Sequence, residues 1–239
     1  MSPSPTELGK TLAGEARYGR RMLKQHGLRF ALLFIALLLP LWGFGALAEE
    51  VHEGDAFFFD QPLLQWAQTW HSPAMDRVFL FFSQIGYARG VVPFDIALVA
   101  WLAWRRRPRE GLFAGIALAG SGLLNVVAKQ FFARDRPTLW ESISPETTFS
   151  FPSGHAMGSM TLAAVLILLA WRTRWRWWVI AAMLPFVLMV GASRVYLGVH
   201  YPSDILAGWA AALAWVVGVY LMLFSGSHRP WQRPQSLGR

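Results

Sequence analysis

Long apolar runs separated by short polar and charged segments set the pattern of this chain. Six such runs cover residues 30–48, 91–104, 111–127, 156–171, 178–192 and 205–224, and the second could begin earlier, near Phe79. A helix needs about 20 residues to cross a bilayer, within a range of roughly 17–25, so the shorter runs must extend into their flanks. The pattern predicts an all-α, polytopic membrane protein with six transmembrane helices.

The same pattern divides the chain into three parts. Residues 1–29 form a polar, basic segment, residues 30–224 form one six-span domain, and residues 225–239 form a short tail with two prolines. The first apolar run is long and lacks a convincing cleavage site with small residues. We therefore expect a retained membrane anchor rather than a signal peptide.

One shorter element is predicted between the first two runs. Within the acidic stretch 49–76, Phe59, Leu63, Trp66 and Trp70 recur at spacings of four, three and four, which places them on one helical face. Pro62 suits the first turn of such a helix. We expect a short interfacial helix lying flat in the first periplasmic loop, with a dedicated substrate gate as the alternative.

Basic residues indicate which side of the membrane each loop faces. The chain has 22 Lys and Arg against 14 Asp and Glu, which gives a net charge of +8. Most of these basic residues lie before the first run, between the second and third, between the fourth and fifth, and after the sixth. This positive-inside distribution predicts that both termini are cytoplasmic, and it accounts for the charge without a nucleic-acid partner.

Composition excludes several classes of protein. With 54% hydrophobic residues and 13 Trp, many of them at the ends of runs, the chain is too apolar for an ordinary soluble domain. It has no cysteine, which excludes disulfides, thiol catalysis and cysteine metal sites. The sequence contains neither a two-metal carboxylate cluster nor a Gly-rich loop of the Walker type, so no metal and no cofactor are predicted.

Three polar segments border the apolar runs, at residues 129–137, 152–155 and 193–204. With both termini inside, the third and fifth helices lead outward, so all three polar segments are expected to meet on the periplasmic face. Together they hold basic side chains, two histidines and a carboxylate beside membrane helices. Such groups are costly next to a bilayer, which indicates a functional site.

The polar segment 193–204 contains a candidate nucleophile and a carboxylate that could orient it. His200 directly precedes a helix that is expected to begin at Pro202, and Asp204 falls in its first turn or so. The carboxylate can accept a hydrogen bond from one imidazole nitrogen and so raise the nucleophilicity of the other. Arg194 can clamp phosphate oxygens with its planar fork. In the alternative, the His and the Asp merely cap a helix.

The polar segment 152–155 stands at the start of the fourth run. The Ser153 hydroxyl and the Gly154 N–H would lie at a helix N-terminus, which is a ready site for an anion. His155 could then protonate a departing oxygen. A capping Ser beside a structural His is the alternative.

The polar segment 129–137 supplies two cations, Lys129 and Arg136, at the outer end of the third run. The alternative role of each is to extend toward lipid headgroups. Arg134 and Asp135, which lie between them, are expected to form a salt bridge at the rim that is worth little.

The three polar segments resemble, part by part, the signature of a known family. Lys129-x6-Arg136-Pro137, Pro152-Ser153-Gly154-His155 and Ser193-Arg194-x5-His200-x3-Asp204 are similar to the three-part signature of the type 2 phosphatidic acid phosphatase family. Its superfamily also contains bacterial acid phosphatases and vanadium haloperoxidases. The likeness spans roughly residues 76–224, and the three parts stand in the family's order.

The resemblance implies a role for each site residue. His200 would attack phosphorus to form a phosphohistidine, Asp204 would orient it, and His155 would protonate the leaving group and later activate water. The phosphate oxygens would be held by Lys129, Arg136, Ser153, Gly154 and Arg194.

The sequence thus leads to the hypothesis of a metal-independent lipid phosphatase in the bacterial inner membrane. Its substrate would enter from the outer leaflet; candidates are undecaprenyl diphosphate, slightly favoured, phosphatidylglycerophosphate, phosphatidic acid and diacylglycerol pyrophosphate. The alternatives are a lipid phosphotransferase with the same intermediate and a non-enzymatic phospholipid transporter or scaffold. Haloperoxidase chemistry is a remote third. A binder needs cations, but it has no need of two histidines in separate roles. The oligomeric state is not predicted.

Overall fold

A computed structural model describes residues 35–224 and 230–231 of the chain. The described residues form helices and connecting loops, without a strand. The basic segment 1–29, the beginning of the first apolar run and most of the tail 225–239 lie outside the described residues. The predictions made for those parts of the chain therefore stay predictions.

Eight helices account for most of the described residues. They are α1 (Ile35–Glu53), α2 (Asp60–Gln68), α3 (Pro73–Ile85), α4 (Val91–Trp104), α5 (Pro108–Phe132), α6 (Gly154–Ala170), α7 (Arg176–Tyr196) and α8 (Pro202–Leu223).

Four of these helices are long and apolar enough to cross a membrane. They are α1 with 19 residues, α5 with 25, α7 with 21 and α8 with 22. The α4 and α6 helices are apolar but have only 14 and 17 residues. The prediction of transmembrane helices is thus supported for four of the six predicted spans, and spans at α4 and α6 stay a prediction.

A break separates α3 from α4, so the second apolar run does not begin near Phe79 as one continuous helix. The chain turns at residues 86–90. A β-carbon added to Gly90 would lie 2.1 Å from the carbonyl oxygen of Ile85, a distance that only glycine tolerates. The α3 helix packs against α7, whereas α4 packs against α5.

The α6 helix lies at the centre of the packed helices. It contacts α5, α7 and α8, and most of its first 12 residues are buried. The α8 helix crosses it closely, because a β-carbon on Gly208 would come within 2.9 Å of the Ser153 carbonyl oxygen. Small residues allow such close crossings between membrane helices. This crossing fixes the beginning of α8 against the beginning of α6.

The short helix predicted between the first two runs is present as α2. Leu64 and Ala67 are buried where α2 meets α7 and α8. Leu63, Trp66 and Trp70 are exposed, with 42%, 59% and 51% of their surface accessible. An exposed apolar face on a helix anchored to the protein by its other face suits a membrane interface, and its position there stays a prediction.

Candidate active site

The three polar segments lie at neighbouring helix ends. The first covers the C-terminus of α5 and the residues after it, and the second forms the N-terminus of α6. The third runs from the last turn of α7 to the first turn of α8. Pro202 begins α8, as the sequence predicted. Ser153 caps α6, which was the alternative role for this residue. These four helix ends bring the predicted site residues to one place, in contact with the loop 133–153.

His200 is fully buried and lies against the carboxylate of Asp204. Its Nδ1 is 3.3 Å from Oδ2 of Asp204 and 3.3 Å from the hydroxyl of Ser150, which itself donates a hydrogen bond to that carboxylate. On the other side of the ring, Nη1 of Arg136 lies 3.1 Å from Nε2. An imidazole that donates from Nδ1 presents an unprotonated Nε2 to its surroundings.

Burial favours the neutral form of this imidazole. Burial is the main reason that the pKa of His200 lies well below its ordinary value of 6.5, and the positive charges of Arg194 and Arg136 lower it further. The ring is therefore neutral at pH 7, and the lone pair on Nε2 accepts a hydrogen bond from Nη1 of Arg136.

Asp204 is held by a second layer of contacts that the sequence did not reveal. Nη1 of Arg134 donates to Oδ1 of Asp204 at 2.6 Å, and Nη2 of Arg134 lies 3.0 Å from Asp60. The rim salt bridge predicted between Arg134 and Asp135 is wrong, because the Arg134 side chain is only 15% exposed and turns inward. The guanidinium also lies over the Tyr201 ring, 4.1 Å from its centroid.

Asp60 connects α2 to the beginning of α8. Its two oxygens accept hydrogen bonds from the backbone N–H and the hydroxyl of Ser203, at 2.9 and 2.6 Å. Asp60 belongs to the acidic stretch 49–76, and it is only 3% exposed. The sequence around Asp60 does not indicate this contact, because its partner Ser203 lies 143 residues further along the chain.

Two of the predicted cations, Lys129 and Arg136, bind the same part of the loop 133–153. Nε of Arg136 donates to the Thr148 carbonyl and Nη1 to the Val199 carbonyl, both at 2.6 Å. The Lys129 ammonium donates to the Thr148 hydroxyl at 3.2 Å and to the Phe149 carbonyl. Arg194, which is 1% exposed, donates from Nη1 to Ser83. We call Lys129, Arg136 and Arg194 the cation cradle.

A carboxylate that the sequence did not single out lies in this cradle. Glu146 accepts hydrogen bonds from Nη2 of Arg136, at 2.8 Å, and from Nη2 of Arg194. Burial by itself raises the pKa of Glu146, but the positive charges around it, with that of Arg194 the largest, outweigh this effect, and the pKa stays below its ordinary value. The side chain is therefore an anion among cations.

Both histidines of the polar segments approach this carboxylate. Nδ1 of His155 lies 3.7 Å from Oε1 of Glu146, and Nε2 of His200 lies 3.9 Å from Oε2. The His155 ring also packs against Tyr87, with 5.0 Å between the ring centroids. The two imidazoles thus flank the one position in the cradle that an anion occupies.

Ser153 and Gly154 stand beside the cradle. The Ser153 hydroxyl accepts a hydrogen bond from the N–H of Ala156, and its backbone N–H donates to the Asp204 carbonyl. A β-carbon on Gly154 would lie 3.0 Å from Oδ1 of Asn125. Capping by Ser153 is thus present, and phosphate binding by these two residues stays a prediction.

The charge of the site suits an anion. In residues 35–224 and 230–231, no group of three or more His, Asp or Glu side chains is arranged to hold a metal ion. The cradle brings three cations to the two histidines. Nε of Arg194 is buried without a hydrogen-bond partner within the described residues, so a further donor is available there. This chemistry suits the oxygens of a phosphate group.

Known proteins resemble this chain in sequence and in fold. The PAP2 superfamily profile matches residues 110–226. Phosphatidylglycerophosphatase B of Bacillus subtilis is 27% identical over 172 residues, which cover 70% of this chain and 84% of that protein. The putative undecaprenyl-diphosphatase YbjG of Escherichia coli is 30% identical over 151 residues, 61% of this chain and 73% of that protein.

A solved structure has the same arrangement of helices. The transmembrane PAP2-type phosphatidylglycerolphosphate phosphatase of Bacillus subtilis aligns with a TM-score of 0.68 at 25% identity, over 77% of this chain and 94% of that one. The predicted family is thereby confirmed. The chain belongs to the PAP2 superfamily and has the fold of its membrane phosphatases.

Proposed function

We propose that this protein hydrolyses the terminal phosphate of membrane lipids through a covalent intermediate on His200. The observation that carries the proposal is the orientation of the His200 ring. Its Nδ1 faces Asp204, and its Nε2 faces the cation cradle. A binding protein would need the cations but not an oriented nucleophile with a second imidazole beside it.

In the first step, the lone pair on Nε2 of His200 forms a bond to phosphorus. The phosphorus–oxygen bond to the lipid breaks, and the leaving oxygen takes a proton from His155. The arrival of a phosphate dianion favours the protonated form of His155 that this step requires. Asp204 stabilises the positive charge that develops on the His200 ring.

In the second step, His155 removes a proton from a water molecule. The water oxygen bonds to phosphorus, the nitrogen–phosphorus bond breaks, and its electron pair returns to Nε2 of His200. Inorganic phosphate leaves, and both histidines regain their starting protonation states.

The cradle supplies the electrostatic part of the catalysis. Phosphoryl transfer spreads negative charge over three oxygens, so positioned cations lower its barrier without covalent chemistry of their own. Arg136, Arg194 and Lys129 would hold these oxygens together with Ser153 and the backbone N–H of Gly154. Three fixed positive charges perform here the role that metal ions have in other phosphatases, and we expect turnover to continue in a chelator.

The surroundings of the site favour a lipid as the substrate. An apolar cavity of about 530 Å³ between α1, α5, α6 and α8 reaches Pro152 and Met157, next to the beginning of α6. An acyl or isoprenyl chain in such a cavity would leave its phosphate at the depth of the cradle. The names of the relatives point to phosphatidylglycerophosphate and undecaprenyl diphosphate as the first candidates.

The proposed orientation puts the site on the periplasmic face of the inner membrane. The clustering of Lys and Arg in alternate loops supports it, with both termini in the cytoplasm. Six spans, with α4 and α6 included, would let the ends of α5 and α7 and the beginnings of α6 and α8 meet on that side. A substrate from the outer leaflet would then enter sideways.

The decisive experiment measures phosphate release by the purified full-length protein in lipid nanodiscs. A panel of undecaprenyl diphosphate, phosphatidylglycerophosphate and phosphatidic acid is tested with and without a lipid acceptor, and in the presence of a chelator. Release that His200→Ala abolishes supports the proposal. Transfer to the acceptor without release would establish a phosphotransferase, and binding without any reaction would establish a transporter or scaffold.

A further inference from the structure

The carboxylate of Glu146 lies where a substrate phosphate must bind. Its oxygens take one Nη2 donor from Arg136 and one from Arg194, and they lie 3.7 Å from Nδ1 of His155 and 3.9 Å from Nε2 of His200. Each of these four groups is one that the proposed reaction requires. A carboxylate and a phosphate present similar oxygens to arginine, so the two anions compete for the same donors.

The space is too small for both anions. Phosphorus must come within roughly 3–3.5 Å of the attacking nitrogen in a productive geometry. An oxygen of Glu146 already stands 3.9 Å from that nitrogen. The carboxylate therefore leaves the cradle before a phosphate enters it.

The cradle has other supports that remain when Glu146 leaves. Arg136 is also held by the carbonyl oxygens of Thr148 and Val199, and Arg194 is also held by Ser83. Glu146 itself lies in the loop between α5 and α6, outside any helix, and its side chain is 24% exposed. Movement of this side chain thus breaks its own contacts without dismantling the site.

We propose that Glu146 is a specificity-determining residue that admits a lipid only when the lipid carries more negative charge than one carboxylate. This inference rests on the proposed function. A phosphodiester headgroup bears one negative charge and gains little by replacing another single charge among the same cations. A terminal phosphate bears about −1.5 to −2 at pH 7 and gains more. The residue would therefore exclude the abundant phosphodiester lipids of the bilayer from the cradle.

The test compares Glu146→Gln with Glu141→Gln, because both variants remove one negative charge from the same loop. Glu141 is exposed and makes none of the cradle contacts. Calorimetric titration of each purified protein with orthovanadate, in detergent micelles, measures anion binding without any turnover. We expect Glu146→Gln to bind orthovanadate about 10-fold more tightly than the wild type, on the scale of one charge-assisted hydrogen bond, and Glu141→Gln to match the wild type.

A second arm of the titration measures selection by charge. Phosphatidylglycerol, a phosphodiester lipid, is added to the micelles in increasing mole fraction. We expect it to weaken orthovanadate binding by Glu146→Gln several-fold and to leave the wild type and Glu141→Gln unchanged. Equal orthovanadate affinity in the wild type and Glu146→Gln, or equal competition by the diester, would overturn the inference.

A structure of the wild-type protein with orthovanadate keeps the inference testable if Glu146→Gln does not fold. Glu146 must then have left both arginines, and its persistence between them would reject the inference. The titrations require no catalysis, so a wild type that hydrolyses no lipid phosphate would reject the proposed function separately. Hydrolysis by the wild type together with unaltered binding by Glu146→Gln would reject only the role of Glu146.

Discussion

Nη1 of Arg134 lies 2.6 Å from Oδ1 of Asp204, the carboxylate whose other oxygen faces Nδ1 of His200. The same guanidinium reaches Asp60 on α2. Arg134 thus joins the short helix α2 to the proposed catalytic pair, although it does not touch the cradle. Its position is that of a residue that acts through Asp204.

The first prediction concerns this positioning role. Arg134→Gln should lower kcat by about 10- to 100-fold, because Asp204 loses a charge-assisted hydrogen bond and its orientation toward His200. KM should change little, since the phosphate-binding donors stay in place. Arg134→Lys should recover part of the rate. Steady-state kinetics with one lipid phosphate measures kcat and KM for the wild type and for both variants.

Arg77→Gln is the matched control for this prediction. Arg77 is exposed, and among the described residues it donates only to the Pro73 carbonyl of its own helix, so its loss should leave kcat unchanged. A higher KM with an unchanged kcat in Arg134→Gln would contradict the positioning role.

The local sequence pattern is enough to predict contacts between residues that lie about one helical turn apart. His200 and Asp204 are four residues apart across a helix start that Pro202 marks, so the sequence predicts their contact. The hydropathy pattern also predicts that the three polar segments meet, because each segment lies at the end of an apolar run and the runs alternate in direction.

The residues that the sequence did not reveal come from loops and from distant parts of the chain. Glu146 lies in a loop without helical or strand periodicity, and nothing local marks it against its acidic neighbours. Asp60 meets Ser203 across 143 positions, and Ser150 meets Asp204 across 54. Such contacts depend on how helix ends pack, which single-sequence patterns do not encode.

The second prediction concerns the protonation state of His200. Because burial and two neighbouring guanidinium groups lower its pKa below 6.5, the neutral ring should persist as the pH falls through 6.5 and should gain its proton only at more acidic pH. NMR of the full-length protein with isotope-labelled histidine measures this directly, with His200→Gln to assign the signal. A midpoint at or above 6.5 in the ligand-free protein would contradict the prediction.

The third prediction concerns orientation. A cysteine placed at Ser142, in the loop that carries Glu146, should react with a membrane-impermeant thiol reagent in intact spheroplasts, because the site is expected outside. A cysteine at Arg106, between α4 and α5, should react only after the membrane is opened. The native chain has no cysteine, so no background labelling interferes. The reverse pattern would show that the orientation is wrong.

The last prediction separates the two histidines. His200→Ala should abolish both turnover and covalent capture of phosphate, because no nitrogen–phosphorus bond can form. His155→Ala keeps the nucleophile but loses the proton donor and water activator, so turnover should fall by roughly 100-fold or more. Rapid-quench experiments with labelled lipid phosphate, followed by mapping of the labelled peptide, measure the intermediate in each variant.

The choice of substrate makes this test sharper. A diphosphate has a less basic leaving group than a monoester, so the attack step depends less on His155 than the hydrolysis step does. His155→Ala should therefore accumulate an acid-labile phosphoenzyme with a diphosphate substrate. Asp204→Asn should still bind orthovanadate but should form the phosphoenzyme more slowly, because the ring loses its charged, orienting partner. Label on His155 instead of His200, or full activity in His200→Ala, would exclude His200 as the nucleophile.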